Sequence, residues 1–115
     1  MDNGLKDRTR AFALRIIRAC ASLPAGRLGD VIGKQLLKAG TSPGAHFREA
    51  LRARSKNEYV AKLNGGLMEL EETLYWLEIA KGANLFTPKK LQALEQETQE
   101  LIAIFVTLIN KWRRK

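Results

Sequence analysis

This sequence predicts an all-α fold, an up-down-up-down antiparallel four-helix bundle, and three observations carry that prediction. Apolar residues recur at spacings of three and four in four separate stretches. This is the period of an amphipathic helix, and no stretch alternates as a strand would. Only short punctuation separates the stretches, around Pro24–Gly26, Ser55 and Gly82–Pro88, and short connections make neighbouring helices antiparallel. A length of 115 residues is that of one domain and buries one core without disulfides, so residues 1–115 are expected to form a single four-helix-bundle domain.

The first helix is predicted from about Asp7 to Leu23, with Thr9, Phe12, Ile16, Ala19 and Leu23 on one face and a stop at Pro24 and Gly26. The second carries Leu28, Val31, Ile32, Gln35, Leu36 and Ala39 on one side. A kink or short break is expected near Thr41–Gly44, where Thr41 or Ser42 would cap a helix restarted at Pro43 and running to about Arg54. The third opens on Ser55-Lys56-Asn57-Glu58, a capping-box pattern. Its seam is Val60, Leu63, Leu67, Leu70, Leu74 and Leu77, and Gly82 and Asn84 supply residues that tolerate the left-handed helix end. Thr87-Pro88 opens the fourth, whose seam is Leu91, Leu94, Thr98, Leu101, Phe105, Leu108 and Trp112.

Hydrophobic residues make up 45% and charged residues 28% of the chain, which suits a water-soluble globular protein. No apolar run approaches the ~20 residues that span a bilayer, and the N-terminus lacks a signal-peptide core. A cytoplasmic protein with no membrane partner is therefore expected. Cys20 is the only cysteine, so it forms no internal disulfide and reads as a buried thiol.

The charge is unusual: 20 Lys and Arg against 12 Asp and Glu give a formal +8, a balance that favours polyanionic partners. Residues 1–56 carry +8, residues 57–86 carry −3 and residues 87–115 carry +3. In an antiparallel bundle the start of helix one, the end of helix two, the start of helix three and the end of helix four share one end. Lys6, Arg8, Arg10, Arg52, Arg54 and Lys56 gather there with Lys111, Arg113, Arg114 and Lys115, while Asp2, Asp7 and Glu58 are the nearby acids. Such a pole attracts phosphate backbones, although basic helix ends also arise because cations suit helix C-termini. The candidate nucleic-acid-binding residues are Arg8, Arg10, Arg52, Arg54, Lys56, Lys111, Arg113, Arg114 and Lys115.

A second signal lies opposite the seam of helix three, where Glu58, Lys62, Gly65, Glu69, Glu72, Trp76 and Ile79 recur at helical spacing. A solvated face has no need of Trp76, Ile79 and the adjoining Tyr75, so this helix is expected to be buried on two sides and to present a face to copies of itself. The alternative is a tryptophan covering a long bundle edge. Glu69, Glu71 and Glu72 are expected to pair with arginines such as Arg15, Arg18 or Arg48 in a buried or interfacial polar network. The residues assigned to this interface or network are Arg48, Glu49, Glu69, Glu72, Tyr75, Trp76 and Ile79.

No catalytic constellation is found, and no metal or cofactor is expected. His46 is the only histidine; with Glu49 it is half of a bundle metal pair at most, and a structural histidine is the expectation. Gly65-Gly66 follows no strand and is no phosphate loop, and glycines inside a helix point to close helix approach. A carboxylate site at Glu69 and Glu72 is the enzymatic alternative and would require a bound cation.

The order Thr41-Ser42-x-Gly44-Ala45-x-Phe47-Arg48-Glu49-Ala50, then Arg52-Ala53-Arg54-Ser55, Lys62-Leu63 and Glu69-x-x-Glu72-Thr73-x-Tyr75-Trp76-Leu77 resembles the four helix bundle protein family, also called the 23S ribosomal RNA intervening-sequence protein family. The match runs from helix one to the end of helix three, with helix four matching only as a pattern. His46 stands where the family usually has asparagine, and Pro43 where an aliphatic residue is common. The resemblance implies an up-down bundle assembled as a homopentamer, without established enzymatic activity. It also implies a link to the accessory variability determinants of diversity-generating retroelements, basic pentamers that bind a reverse transcriptase and nucleic acid. The expected function is a non-enzymatic homo-oligomer binding RNA or DNA through its basic pole. The alternative is an adaptor oligomer that docks a protein such as a reverse transcriptase.

Overall fold

The computed structural model describes residues 2–113. Arg114 and Lys115, assigned above to the pole, lie outside the described residues, as does the side chain of Asp2. Four helices follow one another: α1 (Asp2–Ala21), α2 (Arg27–Leu51), α3 (Lys56–Gly82) and α4 (Pro88–Arg113). They form an antiparallel rod of 47 × 20 × 20 Å. Leu5 near the start of α1 borders the same cleft as Leu108 near the end of α4. At the other end Lys90 donates to the Ser22 hydroxyl. Among the described residues no helix is long and apolar enough to cross a membrane.

Local chemistry sets the helix ends. Ser55 accepts a hydrogen bond from the Glu58 N–H at 3.0 Å, the forward half of the expected capping box. The end of α3 is a Schellman turn: Asn84 is left-handed at φ 56°, and the Leu85 and Asn84 N–H groups donate to the carbonyls of Ala80 and Lys81. Asn84, rather than Gly82, provides the left-handed residue. Helix α2 does not restart at Thr41–Gly44 but runs through Pro43. Proline removes one N–H there, and Thr41 and Ser42, instead of capping a new helix, donate back to the carbonyls of Leu37 and Lys38 at 2.7 and 2.6 Å.

One core joins the helices. Phe12, Ile16 and Ala19 of α1 meet Ile32, Leu36, Phe47 and Ala50 of α2, Leu63, Leu70 and Leu77 of α3, and Leu91, Leu101 and Phe105 of α4. The Phe47 and Phe105 rings lie 6.3 Å apart. Buried Thr9, Thr73 and Thr98 satisfy their hydroxyls on the carbonyls four residues earlier. Glycines set the closest approaches. A Cβ at Gly40 would stand 2.7 Å from Ile16, and one at Gly66 2.6 Å from the Phe105 ring. Helices α2 and α3 pack most intimately and α1 and α4 least.

Three seams differ from expectation. In α3, Gly66, Thr73 and Ala80 are buried with Leu63, Leu70 and Leu77, while Val60, Leu67 and Leu74 are half-buried. Leu28 and Val31 of α2 are each 54% exposed, because the buried face of α2 is centred on Ile32, Leu36, Ala39, Phe47 and Ala50. In α4 the buried series ends on Ile109 rather than on Leu108 and Trp112. A straight helix turns every 3.6 residues, so a strict heptad drifts off the core by its last turns.

Candidate nucleic-acid interface

The basic pole is built where α2 ends and α3 begins. Arg54 and Lys56 flank the Ser55 cap, and Lys111 comes from the last turn of α4; all three border an open apolar cleft of about 730 Å³. A second hollow of about 330 Å³ beside it is lined by Lys6, Arg48, Glu49, Leu51 and Arg52. Arg52, Arg54, Lys56, Lys111 and Arg113 are exposed, and none of them forms an ion pair with a described carboxylate. Tyr59 and Trp112 meet edge to face at 5.4 Å in the wall of the larger cleft. Arg10 is exposed but borders neither hollow.

Arg8 differs from its expected role. Its guanidinium donates to both carboxylate oxygens of Glu97 at 2.8 and 2.7 Å and to Glu100 at 2.7 Å. The fork engages the Arg8 charge and braces α1 to α4, so two acids of α4 join Asp7 and Glu58 in the local balance. These charge-assisted bonds raise the Arg8 pKa further, with Glu97 the larger cause, and hold the exposed Glu100 carboxyl below its ordinary value, chiefly through Arg8.

Arg48 differs too. The expected pairing of Glu69, Glu71 and Glu72 with Arg15, Arg18 or Arg48 is absent among the described residues. Arg48 lies in the smaller hollow with Lys6 and Arg52, on the flank of α2 turned away from α3. Glu49 pairs instead with Lys62 of α3 at 3.1 Å. The His46 ring covers the gap over Gly65 and Gly66, where a Cβ at Gly65 would stand 2.8 Å from it. Among the described residues no three His, Cys, Asp or Glu side chains gather as a metal site requires. Cys20 is half-buried against the Gly33 carbonyl, and burial pushes its thiol pKa up.

The outer face of α3 carries Met68, Tyr75 and Ile79 at 69%, 54% and 37% exposure. The Tyr75 ring stands 5.2 Å from the Trp76 ring. Glu49 opposite Lys62 and His46 opposite Gly65 fix the antiparallel register of α2 on α3; continued along both helices, it sets Val31 beside Ile79–Ala80 and Leu28 one turn further on. An exposed apolar band therefore runs across the two helices. Three buried polar atoms lie along the same flank without a hydrogen-bond partner: His46 Nδ1, Glu69 Oε1 and Trp76 Nε1. Unmet groups of this kind are costly to keep within a lone chain.

The family model described as 23S rRNA-intervening sequence protein matches residues 1–107. No curated protein matches at a significant level. Among solved structures, the chain is similar to a protein of unknown function from the S23 ribosomal protein family of Bacteroides thetaiotaomicron. The two share 34% sequence identity over 95% of this chain and 97% of that one, with a TM-score of 0.89.

Proposed function

We propose that this chain, which belongs to the 23S rRNA-intervening sequence protein family, is a non-catalytic homo-oligomer whose basic pole binds structured RNA. One observation carries the reading: Arg52, Arg54, Lys56, Lys111 and Arg113 stand exposed at one end without a described carboxylate partner. Cations in that state release the counterions of a phosphate backbone when they contact it, whereas the paired Arg8 contributes little. In a homo-oligomer the poles of several subunits sum their fields. The apolar band on α2 and α3, with its three unpartnered polar atoms, supports assembly through that flank.

Filter binding of a structured RNA at rising salt tests this. About five phosphate contacts per pole predict a loss of affinity of roughly five-hundredfold between 50 and 200 mM salt. Arg52→Glu with Arg54→Glu should weaken binding at least tenfold, and Arg8→Gln should leave the salt dependence unchanged. No binding at low salt would overturn the reading.

A further inference from the structure

We propose that the larger cleft is a small-molecule site for an anionic amphiphile, a molecule with an apolar chain and a single carboxylate, sulfate or phosphate head. The inference is independent of RNA binding and concerns the interior of the pole rather than its outer surface. A volume of about 730 Å³ falls in the ~300–1,000 Å³ range of ligand pockets, which are apolar inside with a few placed polar groups. The floor is Phe47 and Ala50, each 1% exposed, and Leu5, Ile104 and Leu108 form the sides. Among the described residues, Arg54, Lys56 and Lys111 are the charged residues of the lining, which holds no described Asp or Glu. An apolar body is thus matched by the walls and an anionic head by the rim.

The shape selects a compact ligand. The last turn of α2, the connection at Ala53–Ser55 and the first turn of α3 wrap one side of the cleft, which lies at the bundle end and is bordered by about two turns of α4. A docked amphipathic helix needs a groove that follows several of its turns. Most of the sides are aliphatic, with Tyr59 and Trp112 set edge to face in one wall, and the Ser55 hydroxyl is already engaged as the α3 cap; a base would need both an open stacking face and hydrogen bonds to its edges.

Trp112 lines the cleft and is one of two tryptophans, so full-length Trp76→Phe protein reports on it by fluorescence, with calorimetry on the unmodified chain as a control. Octanoate, decanoate and decyltrimethylammonium would be titrated below their micellar concentrations. The expected result is saturable binding of decanoate, tighter by about fourfold for each added methylene, with decyltrimethylammonium at least tenfold weaker. Lys56→Glu with Lys111→Glu should weaken decanoate at least tenfold while helicity by circular dichroism is kept. Equal binding of the cationic and anionic chains, no dependence on chain length, or binding unchanged in the double variant would overturn the proposal. So would an acidic amphipathic peptide or a single-stranded oligonucleotide that saturates the Trp112 signal when decanoate does not.

Discussion

At the scale of single residues, glycines in this bundle divide by what lies beyond their missing side chains. Gly66 faces the buried Phe105 ring, and an added Cβ would stand 2.6 Å from it; Gly82 has nothing within 4 Å. The same substitution therefore has opposite signs. Gly66→Ala gains about 1 kcal/mol of helix propensity but overpacks a rigid ring, and a net loss of about 1–2 kcal/mol is expected. Gly82→Ala, in the last helical position, should gain about 0.5 kcal/mol. Urea denaturation of the two variants checks both signs. His46 and Gly65 form a similar fit on the α2–α3 flank, where the imidazole occupies the space that a side chain at position 65 would need.

At the scale of elements, α1 is held on one side by tight packing on α2 and on the other by a polar clasp to α4. Arg8 makes that clasp with Glu97 and Glu100. Arg8→Ala should cost about 1 kcal/mol, the upper end for a partly exposed pair with fork geometry. The contribution of Glu100 has a definite pH dependence. Its folded carboxyl lies below the ordinary value of about 4.5, so its stabilisation is complete above that pH and is lost as pH falls through the lowered folded value. The stability gap between the unmodified chain and Arg8→Ala should accordingly narrow below pH 4.5. Thermal unfolding of both proteins between pH 3 and 7 would measure it, and a gap that widens toward acid would contradict the assignment.

At the scale of the whole molecule, the candidate cations of the pole share one end and an exposed apolar band lies along α2 and α3, while Arg18, Arg27, Lys89 and Lys90 are exposed toward the other end. Tyr75→Asp with Ile79→Asp should convert an oligomer to monomers while helicity is retained, as read by light scattering and circular dichroism; a monomeric unmodified chain would refute assembly through this flank. How much of this arrangement was legible depended on range. Ser55, Thr87 and Asn84 act within a few residues of themselves, so the ends they set could be read from sequence, whereas α1 begins at Asp2 rather than Asp7 and α2 ends at Leu51 rather than Arg54. The shared end of Arg54, Lys56 and Lys111 followed from short connections alone. The Arg8 fork joins residues 89 and 92 apart in sequence, and no local pattern distinguishes Glu97 and Glu100 from solvated acids. The cleft was hidden because Leu108 and Trp112 continue a heptad that the helix itself does not keep. Spacing groups Leu28 and Val31 with Ile32 and Leu36 on one apolar side without revealing how far around the helix the core extends.

The glycines of α2 have one more consequence. Gly40 receives Ile16 and Gly44 receives Thr9, and Gly33 receives Leu23 just beyond the end of α1, so α1 is seated like a key whose teeth meet a row of notches. A helix located in this way cannot slide along its neighbour, because moving one tooth jams the others. The height at which Leu5 meets the cleft is therefore fixed by contacts about one to three turns further along α1.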